Sequence, residues 1–353
     1  MLGQGVVTRV VIVSARVGAG HDGAACELAR RFRERGMRVD RLDFLDLLPG
    51  RLGRILCGFY QRQLTVAPRS WDWLLALLGT RVIAGLARRF ARLAAPGLGE
   101  VIDRDVVLTV STYPMATHTL AHLKAIGGLA APLAVYLTDP SVHRLCISPL
   151  AQLTVAPNEI AADQAQRWGA RRTVVARPLV APEFRPPRSW AERLRARAMF
   201  GLPEGQRLAL VVSGSWGVGH VESIAADVAA SGQAVPVVVC GRNERLRERL
   251  TAAGFRFVLG WVESMPELMR ACDVVVQNAG GLSTSEALAT GLPVLTYRCL
   301  PGHGRANAAV LDAEGTVPWV RRRADLEPAL TRALAAGNST EPARPVPVAE
   351  VAS

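Results

Sequence analysis

The feature that most constrains this chain is a recurring unit: a short β-branched apolar run, a glycine-rich turn, then residues at helical spacing. It appears as Arg9 to Ser14 with Gly18-Ala-Gly-His21, as Leu208 to Ser213 with Gly214-Ser-Trp-Gly-Val-Gly-His220, and as Val274 to Gln277 with Asn278-Ala-Gly-Gly-Leu-Ser-Thr-Ser-Glu286. Strands that alternate with helices predict parallel sheets covered on both faces. The last turn is the most informative. A strand that stops at Gly280-Gly281 and turns into a helix offers unpaired backbone N–H groups and a positive dipole end, which suit a phosphate. Ser283-Thr-Ser-Glu286 also spells a capping box, in which Ser283 starts the helix and Glu286 reaches back to its amide. Both readings stand at this point.

With 353 residues the chain exceeds a single ordinary core, and a second α/β series begins after Pro178 to Pro187, a stretch with four prolines. The expected division is an N-terminal domain at 1–180, a C-terminal domain at 188–336 and a disordered tail at 337–353 rich in Pro, Ala and charge. In the first domain the predicted strands are Arg9 to Ser14, Met37 to Phe44, Asp105 to Ser111, Leu133 to Thr138, Leu153 to Ala156 and Arg172 to Ala176. The second adds Leu208 to Ser213, Val235 to Cys240, Phe255 to Leu259, Val274 to Gln277 and Val294 to Tyr297.

Residues 50–98 break the alternation. They hold Trp71, Trp73, the run Leu74 to Leu78, and a helical pattern from Val82 to Leu93 in which apolar and Arg positions segregate. A basic amphipathic insertion with Trp suits an anionic bilayer surface, and a pair of core-facing helices fits the same pattern. The net charge of +12, carried by 42 Lys+Arg against 30 Asp+Glu, favours a polyanionic partner. Six dispersed cysteines fit reduced thiols better than disulfides or zinc. Val10 to Val13 reads as a first strand, not a secretory signal, and no window approaches the run of about 20 apolar residues of a spanning helix. These features fit a chain in solution or on a membrane surface.

Gly18, Gly20 and Gly23 match GxGxxG, with Asp40 or Asp43 near the place of a ribose-binding acid, so a dinucleotide enzyme is an alternative. Four residues, however, separate the first Gly from the last strand valine, whereas that fingerprint turns directly off its strand. Asp139 and His143 lie just past a strand end, where open α/β sheets place ligands. Asp103-Arg-Asp105 precedes its strand and points to the opposite edge.

Taken in order, the motifs resemble the diacylglycerol glycosyltransferase (monogalactosyldiacylglycerol synthase) group of glycosyltransferase family 28, relatives of the MurG transferase. The matching residues are Ser14-Ala-Arg-Val-Gly-Ala-Gly-His21, Asp43-Phe-Leu-Asp-Leu-Leu-Pro49, Thr138-Asp139 with His143, Gly214-Ser215, Cys240-Gly-Arg-Asn243, Gly260-Trp-Val-Glu-Ser-Met-Pro266, the Asn278–Glu286 turn, and Leu300-Pro-Gly302 with Asn307. The resemblance implies a GT-B fold of two doubly wound Rossmann-like domains facing across a cleft. It implies an inverting hexosyltransferase that uses a UDP-sugar and a lipid acceptor, with no metal or other cofactor. The location it implies is the cytoplasm, on the inner face of the cell membrane, with no nucleic-acid partner. Gly214, Ser215 and the turn Gly280, Gly281, Ser283 and Thr284 would meet the diphosphate, Glu286 the ribose, and Gly260 to Met265 the uracil. Asn243, His303 and Asn307 would complete the donor side. Gly20, His143, Trp71 and Trp73 would face the acceptor or membrane.

His21 is the first choice of base, because an imidazole titrates near neutrality; Asp139 is the second. Alternatives of the same architecture are a transferase of a specialised metabolite, a sugar-nucleotide epimerase and a non-catalytic binder. Where the lipid-glycosylating relatives carry Pro-Gly-Gln-Glu, this chain has Pro301-Gly302-His303-Gly304, which changes the groups offered to the sugar hydroxyls.

Overall fold

A computed structural model describes residues 8–58, 80–103 and 105–336. It divides into two compact units, with the break between Leu179 and Val180. In the first unit, β1 (Arg9–Ser14), β2 (Arg38–Asp43), β3 (Val106–Ser111), β4 (Leu133–Tyr136), β5 (Leu153–Ala156) and β6 (Thr173–Val175) form a parallel sheet in the order β2-β1-β3-β4-β5-β6. In the second, β7 (Leu208–Val212), β8 (Val235–Val239), β9 (Phe257–Leu259), β10 (Val274–Gln277), β11 (Val294–Tyr297) and β12 (Trp319–Val320) give the order β12-β11-β10-β7-β8-β9.

The strand composition explains this arrangement. β1 is buried along its whole length. Val11 and Val13 join one apolar cluster with Phe44, Leu120 and Leu133, while Val10 and Ile12 join another with Leu28, Phe32 and Tyr136. A strand apolar on both faces must be covered on both, as parallel sheets require. β7 repeats this, with Ala209 and Val211 on one side and Leu208, Leu210 and Val212 on the other. In each sheet the order reverses once, between β1 and β3 and between β7 and β10. Ligands of open α/β sheets bind outside the carboxyl ends of the strands at such points.

In the insertion, residues 52–58 are helical, and 59–79, with Trp71, Trp73 and the Leu74 to Leu78 run, lie outside the described residues, as does the tail expected from Gly337. The helix Arg81–Ala91 starts at Thr80, whose Oγ1 accepts from the Ile83 amide at 3.4 Å. It packs against the helix Pro114–Ala125, where Thr119 Oγ1 donates to the Ala91 carbonyl at 2.8 Å. Its buried face is small, Ala84 and Ala91, whereas Val82 is 73% and Leu86 54% exposed. Arg89 and Leu93 continue the exposed stripe. Among the described residues no helix is long and apolar enough to cross a membrane.

Candidate active site

In the first unit the carboxyl ends of β1, β3 and β4 each deliver one part of the site. The helix Ala19–Glu34, which follows β1, carries His21 in its first turn. Thr112 follows β3 and Thr138 follows β4. His21 Nδ1 lies 2.7 Å from the Thr112 carbonyl oxygen and 3.0 Å from Thr138 Oγ1. Thr112 Oγ1 in turn donates to the His21 carbonyl at 3.1 Å. A carbonyl so close requires Nδ1 to carry the proton, so in the neutral ring the lone pair is on Nε2. The ring meets Tyr113 edge to face at 5.3 Å between centroids. It is sunk among protein atoms with part of its surface open, and desolvation holds its pKa below the ordinary value; Asp139 and the Thr112 bond oppose that shift, and His143 adds to it.

Asp139 and His143 thus act on His21 through charge. Burial also lowers the pKa of His143, whose Nε2 is 3.4 Å from Cys146 Sγ, and pushes that thiol up to about 12. Gly18 is extended at φ −166°, and Gly20 and Gly23 lie inside the helix, not in a turn. The GxGxxG pattern therefore makes no dinucleotide loop here. Asp43 joins the loops after β1 and β2, accepting from the amides of Arg16 at 3.0 Å and Leu45 at 2.8 Å. Asp103 and Asp105 pair instead with Arg9, at 3.5 and 3.1 Å. No group of acidic, His and Cys side chains suited to a metal occurs among the described residues.

In the second unit the loops after β7, β8, β10 and β11 press together, and glycines permit it. Gly217 at φ 54° would place a Cβ 2.3 Å from the Cys240 carbonyl oxygen, and Gly280 at φ 75° one 2.8 Å from Asn307 Cβ. The Arg242 amide donates to the Ser215 carbonyl at 2.9 Å. Asn243 starts the helix Glu244–Ala252 by accepting from Leu246, and its Nδ2 donates to the Gly217 carbonyl at 3.1 Å. Asn307, fully buried, donates to the Ala279 carbonyl at 3.1 Å, so it braces the β10 turn from behind. Met265 begins the helix Met265–Ala271 and packs against the core, while His303 begins His303–Ala313 after Gly302 at φ 70°. At Gly304 a Cβ would lie 2.9 Å from both the Asn278 carbonyl oxygen and Leu300 Cβ.

Two expectations for the β10 turn are corrected. The helix runs Leu282–Ala289 from Gly281, with no side-chain cap, so Ser283 is its second residue and Glu286 its fifth. Glu286 therefore cannot close a capping box, which needs the acid at the third position. Its carboxyl has no hydrogen-bond or ion-pair partner among the described residues, and burial alone pushes it up to about 7. Nor are all the turn amides free: Gln277 Oε1 accepts from Ala279 at 2.6 Å and Gly280 at 2.5 Å. Any anion at this turn is left the amides of Gly281, Leu282 and Ser283 at the helix start. Three side-chain oxygens beside the sheet reversal, Ser213 Oγ, Asn278 Oδ1 and Thr284 Oγ1, are buried without a partner. Buried polar atoms of that kind are rare unless a ligand or water completes them.

Sequence reasoning missed Thr112, Gln277 and a stack in which the Arg242 guanidinium lies 4.5 Å over the Trp261 ring and 5.8 Å over Trp216. Trp261 is half-exposed, and the glycines beside Trp216, Arg242 and Trp261 were the available signal for the stack, whereas Thr112 stands in a stretch without glycine.

A family profile described as "Glycosyl transferases group 1" matches residues 218–334. The processive diacylglycerol beta-glucosyltransferase of Bacillus cereus (strain G9842) is 26% identical over 326 residues, 89% of this chain and 82% of the relative. Among solved structures, Acinetobacter baumannii MurG superposes with a TM-score of 0.55 at 14% identity, covering 95% of this chain and 96% of MurG. Medicago truncatula UGT71G1 complexed with UDP-glucose gives a TM-score of 0.56 at 13% identity, covering 93% and 90%. With two six-stranded parallel sheets, the matched profile and relatives along most of its length, the chain is a glycosyltransferase of GT-B fold, similar to the diacylglycerol glycosyltransferase group of family 28.

Proposed function

We propose that this glycosyltransferase moves a hexose from a UDP-sugar to the hydroxyl of a lipid acceptor such as diacylglycerol, with inversion at the anomeric carbon and without a metal ion. The observation that carries the reading is the likeness to the processive diacylglycerol beta-glucosyltransferases, which spans 89% of the chain and so includes both units.

His21 Nε2 takes the proton of the acceptor hydroxyl as its oxygen attacks the anomeric carbon. The bond from that carbon to the β-phosphate oxygen breaks, UDP departs with the electron pair, and the imidazolium returns its proton to solvent. The helix start at Leu282 and Ser283, with the turn at Gly214 and Ser215, stabilises the charge on the diphosphate. Glu286 accepts from the ribose hydroxyls, and the loop from Gly260 to Met265 holds the base. His303 flanks the sugar, and Asn307 supports the β10 turn from behind. The exposed stripe Val82, Leu86, Arg89 and Leu93, together with Trp71 and Trp73, rests on anionic lipid, where apolar burial and charge attraction add.

The test is incubation with a panel of UDP-sugars and diacylglycerol in anionic-lipid micelles, with and without EDTA, followed by mass spectrometry. A hexosyl-diacylglycerol formed equally in both conditions is expected. Transfer only to soluble acceptors, or none from any UDP-sugar, overturns the assignment.

A further inference from the structure

We infer that the Thr112 carbonyl and the Thr138 hydroxyl, not a carboxylate, fix the tautomer of His21 and aim its Nε2 as the base nitrogen. The inference rests on the reading of His21 as the base and names the groups that position it.

A carbonyl oxygen accepts and never donates. At 2.7 Å from Nδ1, that of Thr112 admits only the Nδ1–H form of the neutral ring. Thr138 Oγ1 at 3.0 Å takes a share of the same hydrogen. The clamp is closed from the other side, because Thr112 Oγ1 holds the His21 main chain at 3.1 Å, and the Tyr113 ring edge limits rotation of the imidazole. These contacts join residues 91 and 117 positions apart, brought to one sheet edge by β1, β3 and β4.

When Nε2 accepts the substrate proton, the Nδ1–H becomes more acidic and both bonds strengthen. The two oxygens therefore stabilise the imidazolium that forms, as a neutral counterpart of a carboxylate partner. Other charged groups acting on the ring are Asp139, whose field favours the imidazolium, and His143, which opposes it. These set how readily the ring charges, whereas the threonine oxygens set which nitrogen is free.

The experiment uses the full chain and four variants. Thr138→Val keeps the shape and removes the acceptor. It is expected to lower kcat about three- to tenfold with KM for both substrates nearly unchanged, and to move the acid limb of the kcat profile down by about one pH unit, since the imidazolium has lost a hydrogen bond. Thr138→Ser restores both values to within about twofold. Asp139→Asn also moves the acid limb down but leaves the tautomer as it is. Nitrogen-15 NMR of labelled histidine reads the tautomer without turnover, and a lone-pair shift at His21 Nε2 is expected in the unaltered protein and in Asp139→Asn.

A Thr138→Val profile superimposable on the unaltered one, a Ser variant no better than Val, or an Nε2–H tautomer in the unaltered protein overturns the inference. Failure of the base reading looks different: His21→Ala would then retain turnover whatever the threonine variants do.

Discussion

Asp227 and Arg298 face each other through two hydrogen bonds to one carboxylate oxygen, 2.9 Å from Nε and 2.7 Å from Nη2. The same oxygen accepts from the Tyr297 hydroxyl at 2.8 Å, and the second carboxylate oxygen meets Arg323 Nε at 2.9 Å. Arg298 sits at φ 48°, a left-handed conformation that costs a side chain of its kind about 1 kcal/mol or more. One buried carboxylate on the helix Val221–Ala230 thus holds the strained start of the loop that leads to Pro301 and Gly302.

Asp227→Ala should accordingly destabilise the protein by about 3 kcal/mol, because it strips the buried Tyr297 hydroxyl and the half-buried Arg298 of their acceptor. Urea denaturation measures this, and a loss under about 1 kcal/mol would mean that the loop is held by other contacts.

Gly217→Ala and Gly232→Ala form a matched pair. Both glycines have positive φ, 54° and 67°, but a Cβ at Gly217 would lie 2.3 Å from the Cys240 carbonyl oxygen, whereas at Gly232 it meets nothing within 4 Å. Gly232→Ala should cost about 1 kcal/mol of backbone strain. Gly217→Ala should cost clearly more and weaken UDP binding, and equal losses would show that the loop yields freely.

The pH dependence of stability has opposite signs at two buried groups. His118 is buried with Nε2 unpartnered, and desolvation lowers its pKa from 6.5 to about 4. The unfolded chain binds the proton more readily, so this contribution is complete above about pH 6.5 and is lost as pH falls towards 4, by about 3 kcal/mol. His118→Leu should flatten that part of the stability profile.

Glu286 behaves in reverse. Its carboxyl is raised from 4.5 to about 7, so the folded state binds the proton more readily and stability falls as pH rises across that interval. Glu286→Gln should therefore be more stable than the parent above pH 7, by about 2 kcal/mol after allowance for partial exposure, and not below about pH 4.5. If ribose hydroxyls bind the ionised form, UDP binding near pH 7 should release protons, seen in calorimetry in buffers of different ionisation enthalpy. The Gln variant should release none.

Sheet architecture was legible because the central strands β1, β7 and β10 are compact Val-rich runs buried on both faces; expected and observed limits differ by a residue or two, as at Leu133–Tyr136. β12 escaped notice because two residues carry no period. The helix His303–Ala313 was missed for another reason, since its opening Pro-Gly-His-Gly reads as a loop. The Ser283–Glu286 spacing fits a capping box in any helix that starts at Ser283, and only the observed start at Leu282 removes it. His21 was legible from the turn it closes. The threonine oxygens that hold it were not, because a threonine far along the chain has no local mark until the strands align.

Gly304 has a consequence for how this scaffold can change. Any side chain there must displace the Asn278 carbonyl, which already accepts from the Leu300 amide at 2.8 Å, and also push against Leu300 itself. A carboxylate at that position is thus unreachable by one substitution without cost. A form of the loop with a side chain at 304 needs room beside Asn278 and at Leu300 together, so this position should change in coupled steps with its neighbours, not alone.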